Sequence, residues 1–414
     1  MKQSIDYQNL YILSASADAF GTSIFGLKPE AIQALYKNFN SFIDPTPHLK
    51  NKLHKWTKKG YYSYITQMNL ITTYFLLTEH FSQKKYKEYL KNFAISDLEF
   101  FTGIFRNSSS EFKKYFSNPL LTPLTQPLTF PSAMIFPFNL FFSEKQKRVD
   151  AIIQFTSLFS VHPLTIISTL MVSFGLEIAS SPHLLKDIHS QFIKEESQIR
   201  LSLEKIDFLS STDFFKVITE TLETLSNPNL SIEEGNKIIL QTANHYTGQQ
   251  ITKPTHSFPL ASVMSSLFLV SRMKNPDFSD LLNIVKQGGE ANITASITSL
   301  FISLHETPVI SEELLKNLVN YRQILLYSKS MKKGHLIGEI KEPYKMEYGL
   351  TKSVSLELNK LFKKNPKQKV KKTKEKKKQE KIILTPVLPD KSDKRQWRDY
   401  ERKKSKEKKK RRTF

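Results

Sequence analysis

The amino-acid sequence predicts an all-α protein, with one large helical domain followed by a lysine-rich tail. Two observations predict the helical domain. Apolar residues recur at intervals of three and four, which is the spacing of one face of a helix, and alternating patterns long enough for a strand are scarce. A third observation separates the tail: residues from about 363 onward are rich in lysine and poor in aliphatic side chains, so they cannot form a core of their own.

Two segments early and midway in the chain show the helical spacing clearly. TQMNLITTYFLL places Met68, Ile71 and Phe75 on one face. STDFFKVITETLETL begins with Ser-Thr-Asp, residue types that cap helix N-termini. Its apolar face is formed by Phe214, Val217, Ile218, Leu222 and Leu225. Both segments are therefore predicted to be amphipathic or buried helices.

A third segment, SEELLKNLVNYRQILLY, is predicted to be one continuous helix that begins at Ser311. Glu312 and Glu313 lie in its first turn, where the helix dipole favours acidic residues. Its inner face would consist of Leu314, Leu318, Tyr321 and Leu325. Prolines at positions 119, 123, 127 and 131 forbid a helix in that stretch. We expect a long loop there, either ordered across the domain or mobile.

The stretch GGEANITASITSLFISLH, residues 288–305, raises a question about function. Its apolar residues predict a helix with a buried face, and two glycines precede that helix. Ordinary turn residues at a helix entry would explain the glycines. A metal or phosphate site would explain them too. Phosphate fits because the free N–H groups at a helix start attract anions.

The charge distribution divides the chain. Residues 361–414 contain 24 Lys and Arg against 7 Asp and Glu, a net charge of +17, whereas residues 1–360 carry only +5. We assign residues 1–355 to the helical domain and residues 356–414 to a basic, low-complexity tail that is expected to be disordered. The tail is expected either to bind RNA, DNA or an acidic protein, or to be a solubilising end. The candidate contacts are Arg395, Trp397, Arg398 and Tyr400. The aromatic rings of the tryptophan and the tyrosine offer stacking surfaces.

Composition excludes several classes of protein. The absence of cysteine rules out disulfides and thiolate metal sites. The most apolar stretch, residues 163–179, is short for a membrane span and contains several hydroxyls, so we predict a buried helix and no contact with a membrane. The start of the chain lacks the apolar core of a signal peptide, and a cytoplasmic location is expected by default. No nucleophile elbow and no phosphate-binding glycine loop of the Walker type is present.

Several separated stretches, in order, resemble the ADP-ribosylglycohydrolase family. The segment ADAFG resembles the family's Gly-Asp-Ala-Leu-Gly and keeps Asp18 and Gly21. GYYSYITQMNL resembles the Ser/Thr-Asp-Asp-Thr-Gln-Met element, and Ser63, Thr66, Gln67 and Met68 match it. SAMIFP and the His162-Pro163 pair resemble two further elements. Gly288 and Gly289 match the start of Gly-Gly-Asp-Thr-Asp-Thr, with Glu290, Ala291, Asn292 and Ile293 following. The resemblance implies an all-α fold over residues ~10 to ~325.

The resemblance also implies a two-magnesium site and the residues that would hold it. The ligand positions correspond to Ser63, Tyr64, Ile65, Glu290, Asn292 and Ile293. Of four expected carboxylates only Glu290 remains, and one carboxylate leaves most of the charge of two dications uncompensated. We therefore expect no metal ligands and no cofactor here, although relatives use magnesium. A vestigial cleft would be lined by Asp18, Ser63, Thr66, Gly288, Gly289 and Asn292, and for Asp18 a structural role is favoured over a pocket acid.

Three hypotheses follow for function. The leading one is a pseudoenzyme, a diverged ADP-ribosylglycohydrolase-like protein that binds an ADP-ribose-like ligand or a partner in the old cleft. The second is an active ADP-ribosyl hydrolase in which Glu290 is the catalytic general base, with one metal or none, and Asp18 or Ser63 helps to hold a water. The third is a helical binding module that its basic tail tethers to nucleic acid.

Overall fold

The fold is all-α, as predicted from the sequence. The computed structural model describes residues 6–36, 41–46, 56–178, 181, 183–204, 213–247, 250–274, 276–304 and 310–364. Within these residues the secondary structure is helical, and β-structure is limited to two isolated bridges. The helices are α1 (Tyr7–Ser23), α2 (Pro29–Leu35), α3 (Tyr64–Thr78), α4 (Gln83–Ala94), α5 (Ser110–Phe116), α6 (Phe136–Phe141), α7 (Lys145–Phe159), α8 (Pro163–Ile178), α9 (Leu184–Glu204), α10 (Phe214–Leu225), α11 (Ile232–His245), α12 (Pro259–Ser271), α13 (Phe278–Val285), α14 (Ala291–Ile302), α15 (Glu312–Asn317), α16 (Tyr321–Lys333) and α17 (Pro343–Lys364).

The helix after the two glycines lies at the centre of the core. Every residue of α14 is buried. α1 packs along it, while α12 and α13 cover other sides. A helix surrounded in this way is apolar or small-polar all round. The sequence ANITASITSLFI meets that requirement with short hydroxyl side chains, which allow close approach of the neighbouring helices.

Helix starts follow the capping chemistry in the sequence. The Asp213 carboxylate accepts the backbone N–H of Lys216 at the start of α10. The Ser63 hydroxyl accepts the N–H of Ile65 at the start of α3. His162 caps α8, because its Nδ1 accepts the N–H of Leu164. Each cap satisfies a backbone donor that the helix itself leaves without an acceptor.

The helix predicted from Ser311 through residue 327 is divided, so the prediction of one continuous helix is wrong. α15 ends at Asn317, and α16 begins at Tyr321. Between them the N–H of Val319 donates to the carbonyl of Gly60, and Asn320 takes a left-handed conformation with φ of 58°. A tertiary hydrogen bond to a distant loop thus interrupts a sequence whose local pattern is helical throughout.

The proline-containing stretch before residue 131 is an ordered loop that crosses the domain. Leu124 bonds to the chain between α7 and α8 in both directions: its N–H donates to the carbonyl of Phe159, and its carbonyl accepts from Val161. The N–H of Leu128 donates to the Thr165 hydroxyl of α8. Of the two alternatives left open by the sequence, the structure supports the ordered loop.

The chain divides into two compact units, Met1–Asn359 and Lys360–Phe414. α17 runs past residue 356, the expected start of the tail, to Lys364, and Leu358 is fully buried. The candidate contacts Arg395, Trp397, Arg398 and Tyr400 lie outside the described residues. The apolar residues 163–178 form the buried helix α8, as predicted. No helix in the described part of the chain is both long and apolar enough to cross a membrane.

Candidate functional site

The polar centre of the site is Asp18, a fully buried carboxyl group in the middle of α1. Its Oδ1 accepts the hydroxyls of Ser63 at 2.6 Å and Thr22 at 3.1 Å. Its Oδ2 accepts the backbone N–H of Ser63 at 2.9 Å, the N–H of Thr66 at 3.1 Å and the Thr66 hydroxyl at 2.8 Å. A carboxylate offers about four lone-pair positions. These bonds therefore use the whole accepting capacity of Asp18 and hold the first turn of α3 against α1.

Burial and hydrogen bonding act on Asp18 in opposite directions. Desolvation raises the pKa of this carboxyl above its ordinary value, while the hydrogen bonds from Ser63 and Thr66 lower it in part. The net direction is upward. Asp18 is thus a buried acid with a structural role, which agrees with the role favoured from the sequence.

The glycine pair before α14 has a specific backbone requirement. Gly288 and Gly289 both have positive φ, 70° and 72°. The carbonyl of Gly289 accepts the N–H of Gly26, and its N–H donates to the carbonyl of Leu27. A Cβ on Gly288 would lie 2.2 Å from that Leu27 carbonyl oxygen. The glycines therefore fit a close backbone pairing between the chain after α1 and the chain before α14, a requirement that glycine alone meets without strain.

The third stretch that resembles the family, around Asn292, contacts the first stretch at Gly21. A Cβ on Gly21 would lie 2.3 Å from the Cα of Asn292, so α1 and α14 touch backbone to backbone at this point. The Asn292 amide donates to the Ser63 hydroxyl at 3.5 Å, and Asn292 is 1% exposed. Asp18, Ser63, Thr66 and Asn292 form one cluster, which we call the Asp18 cluster.

A cleft with a volume of about 270 Å³ opens beside the start of α14. It is lined by Phe25, Gly26, Thr252, Lys253, Thr255, His256, Ser257, Gly289 and Glu290. Glu290 is partly buried. Thr255 is 1% exposed, and its hydroxyl makes no hydrogen bond within the described residues. Desolvation lowers the pKa of His256, which favours the neutral ring.

The residues at the positions implied for two magnesium ions do not fit such a site. Ile65 and Ile293 are buried hydrocarbons without a donor atom. Burial raises the pKa of Tyr64 well above its usual value, with the Glu290 and Asp18 carboxylates adding to the effect, so its phenol is neutral. The Ser63 hydroxyl is already bonded to Asp18 and to the N–H of Ile65. Throughout the described residues, no group of three or more His, Asp or Glu side chains could hold a metal ion.

The structure thus divides the residues singled out from the sequence into two sets. Asp18, Ser63, Thr66 and Asn292 form the Asp18 cluster inside the domain. Gly289 and Glu290 line the cleft, with Gly288 next to them in the chain. His162, matched to the family's His-Pro, is a helix cap rather than part of either set.

Sequence reasoning missed a buried ion pair next to the Asp18 cluster. Arg106 and Glu347 are both fully buried, with Nη1 and Oε2 2.7 Å apart. Gln67, one residue after Thr66, donates to Glu347 at 3.0 Å and accepts the backbone N–H of Arg106 at 2.8 Å. The sequence offered no clear signal, because the polar run NSSSE follows Arg106 directly and is typical of an exposed segment.

Comparison with known proteins finds similarity to solved structures. No family model matches the sequence, and no curated protein sequence matches it. Among solved structures, the chain is similar to one described as an "ADP-ribosylglycohydrolase-related protein complex", with a TM-score of 0.49 and 11% identity. The similarity covers 80% of this chain and 99% of that chain. The functional argument therefore rests on the residues of the cluster and the cleft.

Proposed function

We propose that the chain is a diverged ADP-ribosylglycohydrolase-like protein that binds an ADP-ribose-like ligand in the cleft beside Glu290, without two-magnesium hydrolysis. One observation carries the proposal. Three stretches that resemble the family are far apart in sequence, and one residue from each, Asp18, Ser63 and Asn292, lie in contact. Chance matches of short motifs would have no reason to meet in the folded chain.

The chemistry of the cleft supports a ligand with phosphate and sugar groups. The start of α14 supplies the positive end of a helix dipole, and Lys253 adds a full positive charge. Thr252, Thr255 and Ser257 provide hydroxyls that can bond to a sugar or phosphate. The volume of about 270 Å³ lies just below the usual range for whole ligands, so the cleft would hold part of a nucleotide-sized molecule.

The absence of hydrolysis follows from the chemistry of the same residues. In the family, metal ions bind or position the attacking water, and the side chains at the matched positions here do not fit two dications. Asp18 has no accepting capacity left with which to hold a water. Glu290 lines the cleft, and this position favours one alternative function, hydrolysis with Glu290 as general base.

Calorimetric titration of the full chain with ADP-ribose tests the binding proposal. We expect the same affinity in magnesium and in EDTA. Lys253→Glu should weaken binding at least tenfold, because it replaces the attracting charge in the cleft. Lys286→Glu makes the same charge change at an exposed position outside the cleft lining and should leave the affinity within twofold. No binding, or binding only with magnesium, would contradict the proposal.

A second assay separates the binding protein from the alternative hydrolase. We expect no release of ADP-ribose from modified serine, arginine or aspartate side chains. Release that disappears in Glu290→Ala would establish the hydrolase in its place, and ADP-ribose binding in calorimetry would then report substrate recognition.

A further inference from the structure

The last helix, α17, docks on irregular chain and ties together two loops. Tyr348 donates to the Asp97 carboxylate at 3.0 Å, Thr351 to the carbonyl of Ile104 at 2.7 Å, and Ser355 to the carbonyl of Glu99 at 3.1 Å. On the other side, the Lys58 ammonium donates to the Ser353 hydroxyl. Residues 95–106 contain no helix, so hydroxyls of α17 donate to backbone carbonyls that regular structure would otherwise satisfy.

Glu347 is the central contact of this docking. Its Oε1 accepts the Tyr62 hydroxyl at 2.6 Å. Its Oε2 accepts from Arg106 at 2.7 Å and from the Gln67 amide at 3.0 Å. Three donors thus surround one buried carboxylate: Tyr62 and Gln67 from around the start of α3, and Arg106 from the loop after α4. We call Tyr62, Gln67 and Arg106 the Glu347 receptor.

The residues of the Glu347 receptor bond to one another and to Asn320, and Arg106 also donates to the Thr351 hydroxyl of α17 at 3.1 Å. Gln67 accepts the backbone N–H of Arg106, and Arg106 Nε donates to the carbonyl of Tyr62 at 3.3 Å. Asn320 donates to the Tyr62 hydroxyl at 3.2 Å. The receptor is therefore a carboxylate site whose donors are linked to one another, and Glu347 is its intramolecular occupant.

Two residues of the Glu347 receptor flank the segment that binds Asp18, and the third residue contacts that segment. Tyr62 precedes Ser63, Gln67 follows Thr66, and the N–H of Tyr64 donates to the carbonyl of Arg106 at 2.9 Å. A displacement of Arg106 would thus move the start of α3, from which Ser63 and Thr66 donate to Asp18. The two buried carboxylates thus bond to neighbouring residues: Asp18 bonds to Ser63 and Thr66, and Glu347 bonds to Gln67.

The helix that supplies Glu347 contains a weak point. Gly349 is exposed in the interior of α17, and a Cβ built on it would meet nothing within 4 Å. No packing requirement explains a glycine there, although glycine is a poor helix former at such a position. A helix whose buried contacts centre on one ion pair, and which has a poor helix former at an exposed interior position, can undock more readily than the core helices.

We propose that α17 is a latch: insertion of Glu347 into the receptor of Tyr62, Gln67 and Arg106 holds the start of α3, and release of α17 loosens the Asp18 cluster. The latch is a conformational device that couples the C-terminal helix to the cluster. It does not depend on any ligand of the cleft, so its test is independent of the binding proposal.

Hydrogen–deuterium exchange on the full chain tests the latch. Glu347→Gln keeps the shape of the side chain but leaves Arg106 without its counter-charge. We expect at least fivefold faster exchange in residues 63–67 and 95–106 as well as in α17. Glu177→Gln is the control, because it makes the same substitution in another ion pair, between Glu177 and the buried Arg148, at a contact between α7 and α8. It should leave residues 63–67 unchanged.

A stabilising variant gives the converse test and serves if Glu347→Gln does not fold. Gly349→Ala should slow exchange in α17 by roughly three- to fivefold, the gain typical of alanine over glycine in a helix. The latch requires the same slowing at residues 63–67. Slowing confined to α17 would overturn the proposal, as would equal effects of Glu347→Gln and Glu177→Gln on residues 63–67.

Discussion

Asp18 accepts hydrogen bonds from Thr22 of its own helix and from Ser63 and Thr66 at the start of α3. An amide at this position would present N–H groups to backbone N–H donors, and the buried donors facing it would lose their acceptor. The local chemistry therefore requires an acid here even without a metal or a substrate. This requirement explains the acid at this position without any role in binding a ligand.

We predict that Asp18→Asn lowers the free energy of unfolding by roughly 2–4 kcal/mol, since at least two buried donors lose their partner. Asp277→Asn is the matched control, because Asp277 is an exposed N-cap of α13. Asparagine caps helices about as well as aspartate, so that change should stay within roughly 0.5 kcal/mol. Denaturant unfolding measures both variants. Equal effects would show that the Asp18 bonds contribute little.

His162 gives a prediction about pH. Burial lowers its pKa to about 4, and its Nδ1 must stay unprotonated to accept the N–H of Leu164. A histidine with a lowered pKa in the folded state stabilises the protein above its unfolded pKa of about 6.5, and this contribution is lost as pH falls towards about 4.

His162→Asn should remove this pH dependence, because the asparagine oxygen can accept the same N–H without titrating. We expect the loss of unfolding free energy between neutral and acidic pH to shrink by roughly 1–2 kcal/mol, a value reduced for the partial exposure of the ring. His335→Asn, at an exposed position, is the control. A pH profile identical to that of the original chain would contradict the assigned role of His162.

At the scale of elements, the break between α15 and α16 shows what local sequence patterns miss. Leu314, Leu318, Tyr321 and Leu325 are spaced as on one helix, yet the chain leaves the helix at Leu318. The cause is the bond from Val319 to Gly60, which is far away in sequence. Helical spacing predicts which residues face the core, but it contains no information about a backbone acceptor on another loop.

This break predicts a difference between two substitutions of Asn320. Asn320→Ala places an unsuitable residue at a φ of 58° and removes the bond to Tyr62, so it should lower the free energy of unfolding by roughly 1–3 kcal/mol. Asn320→Gly removes the same bond without the backbone strain and should cost about 1 kcal/mol less than alanine. Denaturant unfolding compares them, and a less stable glycine variant would argue against the left-handed conformation.

At the scale of the whole molecule, the sequence predicted the helical class and the division of charge but not the pairing of distant residues. Ser63 and Asn292 are 229 positions apart, and only the family resemblance suggested that they meet. Arg106 and Glu347 belong to no matched motif, so nothing in the sequence joined them. The cleft also depends on residues 252–257, which carry no recognisable pattern and bond to distant chain: the Glu290 N–H donates to the Thr255 carbonyl, and the Thr129 hydroxyl donates to the Ser257 carbonyl.

The tail gives a prediction for the full chain. If residues 365–414 bind nucleic acid through charge, the logarithm of affinity should fall linearly with the logarithm of salt concentration, with a slope of about −0.7 to −0.9 per phosphate neutralised. A chain ending at Lys364 preserves α17 and should lose this binding while melting at nearly the same temperature. Trp397→Ala should weaken single-strand binding by about 1–3 kcal/mol only if bases stack on the ring. Equal affinity with and without the tail would leave it as a solubilising end.

The most direct test of the central claim, that the residues around Asp18 and Glu290 do not hold two magnesium ions, is the melting temperature of the full chain in millimolar magnesium and in EDTA. An ion bound specifically to the folded state at a hundredfold excess over its dissociation constant would add about 2.7 kcal/mol of stability. Our account predicts the same melting temperature in both solutions. A rise of several degrees in magnesium, with calorimetric titration showing two bound ions, would contradict it.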